Sequence, residues 1–280
     1  FVQAEIEEFV LPEHLNTHPL YPKVRTLKLN FYFDGKTEAL TVEEAVAKGL
    51  VPNARLGAWI GWEHVWLTRE LKIPHERIRY HVIPPEERAF YSRGTIDVEV
   101  LLGNDWVEII GNSYRGEYDL TQHSRFSGAN LSDSGRIPHV VEPSFGIDRI
   151  AMALLEVHYD VEPKDRSWPV LRVPYTLAPF DVGIASVSDE ERFARVVNDI
   201  DLLLRSEGLL TFKLYGKIAA QYARADGLGI PLVVTVDHQT FEDGTVTVRD
   251  RDTRAQKRVL VEELPSYIRT ALGGEADGRW

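Results

Sequence analysis

Glu142, Ser144 and Arg149 lie close together in the stretch Ile137 to Glu156, IPHVVEPSFGIDRIAMALLE, and as a set they could hold a ligand that carries both an ammonium and a phosphate or carboxylate. The stretch opens on extended, β-branched residues and turns at Pro143-Ser144-Phe145-Gly146. It continues as an amphipathic helix with Ile147, Ile150, Ala151, Leu154, Leu155 and His158 on one stripe and Arg149 off it. A strand that runs through a glycine turn into a helix aims backbone N–H groups and the positive helix end at one point, which favours an anion there. An ordinary strand-to-helix junction with a surface arginine would look the same locally, so this reading depends on the rest of the chain.

A second group of charges supplies that support. Thr95–Leu102 alternates with Asp97 and Glu99 on one face, Gly103-Asn104-Asp105 turns, and the returning strand places Trp106, Glu108 and Ile110 on one face. Asp97 or Glu99 can thus stand beside Glu108, and one or two such carboxylates together with substrate phosphates are what Mg²⁺ prefers. Arg115 and the polar run Tyr118–Ser124 follow, in which His123 alone reads as a structural residue. Residues 1–10 alternate as one strand, with Gln3, Glu5 and Glu7 on one face and Val2, Ala4, Ile6 and Val10 on the other. A carboxylate row of that kind is usually a solvated sheet face.

These groups need a scaffold. The pattern predicts a short strand over Val24–Phe33 and helices over Thr41–Lys48 and Asn53–Lys72, the second ended by Ile73-Pro74 and packing Trp59, Trp62 and Trp66 against the core. A boundary falls in the charged, proline-bearing segment 160–169, DVEPKDRSWP. Beyond it strands and helices alternate: Phe180–Ala185, helix Asp189–Ser206 behind a capping box that starts at Ser188, Leu209–Leu214, helix Lys217–Leu228, Leu232–Val236, and a hairpin of Gly244–Arg249 and Lys257–Val261. Arg249, Arg251, Arg254, Lys257 and Arg258 cluster around that hairpin as a basic rim interleaved with Asp250 and Asp252.

At 280 residues, 44% hydrophobic and 27% charged, the chain is long enough for two soluble domains. It has no apolar run able to span a bilayer and no signal-like start, which predicts a cytoplasmic protein without a membrane partner. The absence of cysteine removes disulfides, thiolate metal sites and thiol nucleophiles. A net charge of −11 argues against indiscriminate nucleic-acid binding and leaves room for a local basic contact.

The chain resembles the class II aminoacyl-tRNA synthetases, and among them the glycyl-tRNA synthetases of the archaeal and eukaryotic type. The resemblance rests on QAEIEEFV (3–10), WVEIIGNSYRGEYDLTQHS (106–124), PHVVEPSFGIDRI (138–150), APF (178–180), and YARADGLGIP (222–231) with EDGTVTVRDRD (242–252). It covers nearly the whole chain, most thinly over 11–85. It implies an α+β protein, with a class II antiparallel-sheet catalytic domain at 1–168, a smaller α/β anticodon-binding domain at 169–272 and a tail at 273–280. The implied activity is glycine–tRNA ligation: ATP-dependent formation of glycyl-adenylate, then transfer to the 3′ end of tRNA(Gly). By the resemblance, Arg149 contacts the ATP phosphates, and Glu5, Glu142 and Ser144 receive the glycine ammonium. Arg115 faces the amino-acid carboxylate, Glu108 helps hold ATP and Mg²⁺, and Glu99 is a second metal candidate. The second domain would bind the anticodon through its basic hairpin, with Lys213, Lys217 and Arg224 nearby.

Three departures stand beside these expectations. Motif 1, which in the family builds the homodimer interface, and the first strand of motif 2, with its ATP-binding arginine, would precede Phe1. Asp148 stands where glycyl enzymes usually have glycine. The stretch PPEERAFYSRGTIDVEV (84–100) lacks the family's usual histidine and tryptophan. The alternatives are a non-catalytic relative of the polymerase-accessory type, or a threonyl, prolyl or histidyl synthetase, for which a wider pocket or a zinc ligand set is expected.

Overall fold

The computed structural model describes residues 1–273, so most of the expected tail, from 274 on, lies outside the described residues. The chain divides into two compact units, Phe1–Val157 and His158 onward. No helix among the described residues is long and apolar enough to cross a membrane.

The first unit is built on an eight-stranded sheet. Its strands are β1 (Gln3–Glu5), β2 (Glu8–Val10), β3 (Lys28–Phe33), β4 (Lys36–Thr41), β5 (Ile78–Val82), β6 (Gly94–Leu102), β7 (Asp105–Gly116) and β8 (His139–Gly146), in the order β1-β8-β7-β6-β5-β3-β4 with β2 also on β8. All neighbours are antiparallel except β3 and β5. One face carries Leu29, Phe31, Tyr80, Ile96, Val98, Ile110, Val141 and Phe145 into the core, against helix α3 (Ala54–Val65). The predicted strand over Val24–Phe33 begins later, because Tyr21–Val24 forms a helical turn, α1, before β3. Thr41 caps α2 (Val42–Ala47) through a reciprocal bond with Glu44, and Asn53 caps α3 through Leu56 N. The single helix predicted over Asn53–Lys72 is α3 followed by a π-helical turn at Trp66–Glu70. Trp59 and Trp66 pack against the core, Trp66 edge-on to Phe145 at 6.1 Å, and Trp62 sits edge-on to Trp59 at 6.2 Å.

Two irregularities alter the predicted faces. Residues 1–10 are two short strands, and the break at Ile6-Glu7 turns Glu8 inward, where it bonds Arg55 and, at 2.9 Å, Trp59 Nε1. In β7 a bulge opposite the Val98/Glu99 step leaves Ile109 extra, so both Ile109 and Ile110 enter the core and Glu108 stays on the opposite face. The expectation that Glu108 and Ile110 share a face is therefore wrong. A strict two-residue period cannot register an inserted residue.

Behind β7, Glu63 of α3 is fully buried and accepts from Asn112 Nδ2 at 2.9 Å, while Glu63 Oε1 and Asn112 Oδ1 have no hydrogen-bond partner. Burial, only partly opposed by the Asn112 bond, pushes the Glu63 carboxyl up to about 8. A protonated Glu63 brings a donor to a place holding two orphaned acceptors. Below the ordinary value of 4.5 both folded and unfolded chains hold this proton; above it only the folded chain does, until about pH 8. Wild-type stability should therefore fall across that window, approaching about 1.4 kcal/mol per pH unit, and level off above it. Glu63→Gln, which supplies an amide donor without a charge, should gain on wild type in urea midpoint between about pH 5 and about pH 8. Midpoints that stay parallel would contradict this.

The second unit alternates as predicted. Strands β9 (Tyr159–Asp160) and β10 (Val170–Leu171) pair with each other. A five-stranded sheet follows from β11 (Val182–Ser186), β12 (Thr211–Lys213), β13 (Leu232–Val236), β14 (Thr245–Asp250) and β15 (Gln256–Leu260), in the order β12-β11-β13-β14-β15. The first three are parallel and the last two antiparallel. Helix α6 (Glu191–Ser206) starts two residues later than its expected capping box, because Ser188 Oγ accepts from Glu190 N rather than from the helix.

The basic rim expected around the last hairpin is not a rim at its centre. Arg249 and Arg251 are 3% and 1% exposed. Arg249 grips both oxygens of Asp226, on α7 (Ile218–Gly227), at 2.8 and 3.1 Å. Asp226 also receives Arg166 Nη1 at 2.6 Å and Trp168 Nε1 at 2.8 Å, and Arg251 donates to the carbonyls of Gly229 and Val173. These arginines, quoted above as markers of the resemblance, are internal fasteners of the unit.

Candidate active site

The face of the first sheet opposite the core gathers every expected site residue. Strand register sets the main row: Glu5 on β1 stands opposite Ser144 on β8, Ser144 opposite Gly111 on β7, and Gly111 opposite Asp97 on β6. Ser144 Oγ donates to Glu5 Oε1 at 3.3 Å. Glu142 lies two residues along β8 from Ser144, hence on the same face. Gly111 leaves a gap in the middle of the row, since a Cβ there would stand 3.4 Å from Glu108 Oε1 and 3.7 Å from Asp97 Oδ1. The floor between the carboxylates and Ser144 is thus bare backbone.

The turn at the end of β8 is shaped by close approach. A Cβ on Gly146 would stand 3.2 Å from the carbonyl oxygen of Ile109, so glycine lets the chain pass β7 and enter helix α5 (Ile147–His158). The first turn of α5 is tied to the N-terminal segment: Asp148 Oδ2 accepts from Val2 N at 2.8 Å, and Ile147 N donates to Val2 O at 3.0 Å. That bond gives Asp148 a structural role where glycine was expected. Within α5 the buried residues are Ile150 and Ala153, with Leu154 and Val157 packed beside them, while Ile147 and Leu155 of the predicted stripe remain exposed.

The site residues form contacting pairs. Arg149 Nη1 donates to the backbone oxygen of Glu108 at 2.9 Å and to its Oε2 at 3.1 Å. Arg115 Nη1 donates to Glu142 Oε2, and the rest of its fork holds Asp119 at 2.7 and 3.1 Å. The Tyr91 ring lies against the Arg115 guanidinium at 4.4 Å. Arg115 thus braces Glu142 and has most of its donors committed within the protein. Glu99 is the expected residue least open to a ligand. It is buried, with one oxygen bonded to Arg79 and the other 3.1 Å from His81 Nδ1.

Asp97 faces Glu108 instead. Burial first, then the neighbouring charges of Glu108 and Glu99, push its carboxyl up to about 7, against a smaller opposing effect of Arg149. Asp97 and Glu108 thus place two carboxylates close together, with Arg149 on Glu108 as the nearby positive charge. No three metal-ligating side chains converge among the described residues. Alternation had offered Asp97 and Glu99 as equal partners for Glu108. Only the surroundings separate them. Asp119 and Tyr91 went unnoticed as site supports, although Asp119 stands four residues after Arg115.

Comparison with known proteins adds independent findings. Residues 181–271 match the family model described as an anticodon binding domain. Along its length the chain is similar to the glycine–tRNA ligase of Archaeoglobus fulgidus, at 34% identity over 99% of this chain and 62% of that protein. It is 32% identical to the glycine–tRNA ligase of Thermococcus kodakarensis over 97% of this chain and 62% of that protein. The corresponding figures for Methanothermobacter thermautotrophicus are 31%, 98% and 63%. The chain therefore spans a little over three-fifths of the length of these relatives.

Proposed function

From the premise that this chain is a homologue of the glycine–tRNA ligases, we propose that it activates glycine with ATP and transfers it to the 3′ end of tRNA(Gly). The observation that carries the reading is the convergence of Glu5, Ser144, Glu142, Arg115, Glu108 and Arg149 on one sheet face as three contacting pairs. Nothing local in the sequence requires residues from three separate strands and a helix to meet. An ammonium–phosphate site does.

The ammonium of glycine is received by Glu5, Ser144 and the Glu142 oxygen that Arg115 leaves free. Arg115 then works as a positioning residue, holding Glu142 still while Asp119 and Tyr91 hold Arg115. Glycine has no side chain to grip, and a methyl group is worth only about 1–3 kcal/mol as attraction, so selectivity comes from leaving no room for that methyl. With the ammonium fixed, one carboxylate oxygen of glycine attacks the α-phosphorus of ATP and pyrophosphate leaves. The terminal ribose hydroxyl of tRNA then attacks the acyl carbon and AMP leaves. No protein nucleophile takes part, and catalysis rests on positioning and charge stabilisation.

Arg149 meets the phosphates with the donors that Glu108 does not occupy. Mg²⁺, when bound, would neutralise phosphate charge, with Glu108 and Asp97 as the residues to hold it. A homodimer and a cytoplasmic location complete the proposal. Its test is ATP–pyrophosphate exchange that requires glycine.

A further inference from the structure

The segment 84–93 forms with the start of helix α4 (Tyr118–Ser127) a ledge of aromatic rings beside the site. Phe90 is 82% exposed. It stands edge-on to Tyr91 at 5.2 Å and to Tyr118 at 5.4 Å, so its position is set and its outer face is open. The ledge is continuous with the site: Tyr91 covers Arg115, and Arg115 bonds Glu142. At the far end of α4, Phe126 is 80% exposed with the Arg125 guanidinium 5.4 Å from its ring.

We propose that Phe90 and Tyr118 form a stacking platform for the unpaired 3′-terminal nucleotides of an RNA acceptor strand. Single-stranded RNA is gripped chiefly by stacking its bases on aromatic and guanidinium faces, which suits any base and tolerates a protein of acidic net charge. The occupant is argued from continuity. An acyl acceptor must bring its 3′ hydroxyl to the residues that hold the acyl group, and the ledge adjoins them. Glu86 and Glu87 on the same loop, with Glu117 paired to Arg93 at 3.5 Å, leave little net positive charge there, so stacking rather than phosphate contact is the expected grip. This inference rests on the proposed tRNA charging and adds the residues that meet the RNA end.

The test titrates the protein into an RNA hairpin with a four-nucleotide 3′ overhang carrying 2-aminopurine, and into the same hairpin made blunt. Wild type should bind the overhang form more tightly and quench the probe. Phe90→Leu, which keeps apolar surface and removes the ring, should weaken overhang binding about tenfold, the effect of one stacked base. Phe90→Trp should retain it, and both variants should leave glycine-dependent exchange unchanged. Equal binding of blunt and overhang hairpins by wild type would overturn the proposal. So would a Phe90→Leu variant that differs only in self-association by sedimentation, since the ledge would then be a contact between copies of the chain. Loss of exchange activity in wild type with overhang-dependent quenching intact would remove the glycine reading and leave the ledge standing.

Discussion

Asp226→Ala should destabilise the second unit by about 3–5 kcal/mol, the usual cost of breaking a buried ion pair by removing one partner. Asp226 is fully buried on α7 and compensates two guanidinium groups at once, those of Arg249 and Arg166, while also accepting from Trp168. Its removal strands Arg249, 3% exposed, with no other carboxylate partner among the described residues, whereas Arg166 keeps Asp165 and the Arg251 carbonyl. The urea midpoint of the unit should fall while the slope stays the same. Arg249→Glu should act in the same direction, placing a second acid against Asp226. A surface contact with tRNA, the role first suggested by the basic composition of the hairpin, would instead leave stability untouched and raise only the KM for tRNA. An unchanged midpoint in both variants would restore that earlier reading.

Arg149→Ala should lower glycine-dependent ATP–pyrophosphate exchange by about 10²–10³-fold, the range seen when one preorganised donor to developing charge is removed. Arg149 suits that role because it is oriented without being used up. Glu108 fixes one nitrogen through both its carbonyl and its carboxylate, and the side chain remains 41% exposed. Arg149→Lys should recover little, since an ammonium replaces a planar fork with a point charge. Exchange within about twofold of wild type in the alanine variant would show that the phosphates are held elsewhere.

The hairpin of β6 and β7, the strand-to-helix turn at the end of β8 and the second unit's alternation were legible because their apolar residues keep the period of two or of 3.6 that burial imposes, whereas β4 and β5 went unread. The site was legible in part. Glu142, Ser144 and Arg149 could be grouped since they flank one turn, but joining them to Glu5, more than 130 residues earlier, required the resemblance. What escaped was whatever depends on a local change of phase or on burial. The break at Ile6-Glu7 and the bulge at Ile109 shift which residues share a face, and neither has a compositional mark. Arg249 and Arg251 read as surface residues because arginine usually is one, and only the position of Asp226 reverses that. Asp97 and Glu99 are chemically alike and two residues apart. Arg79 and His81, on a strand made from a different part of the chain, decide between them.

The central claim is that the Glu5, Ser144 and Glu142 pocket selects glycine for activation, and ATP–pyrophosphate exchange measured with glycine, alanine and threonine in turn tests it most directly. The account predicts exchange with glycine and next to none with the other two. Exchange with alanine or threonine but not glycine, or no exchange with any of the three by a folded protein, would contradict it.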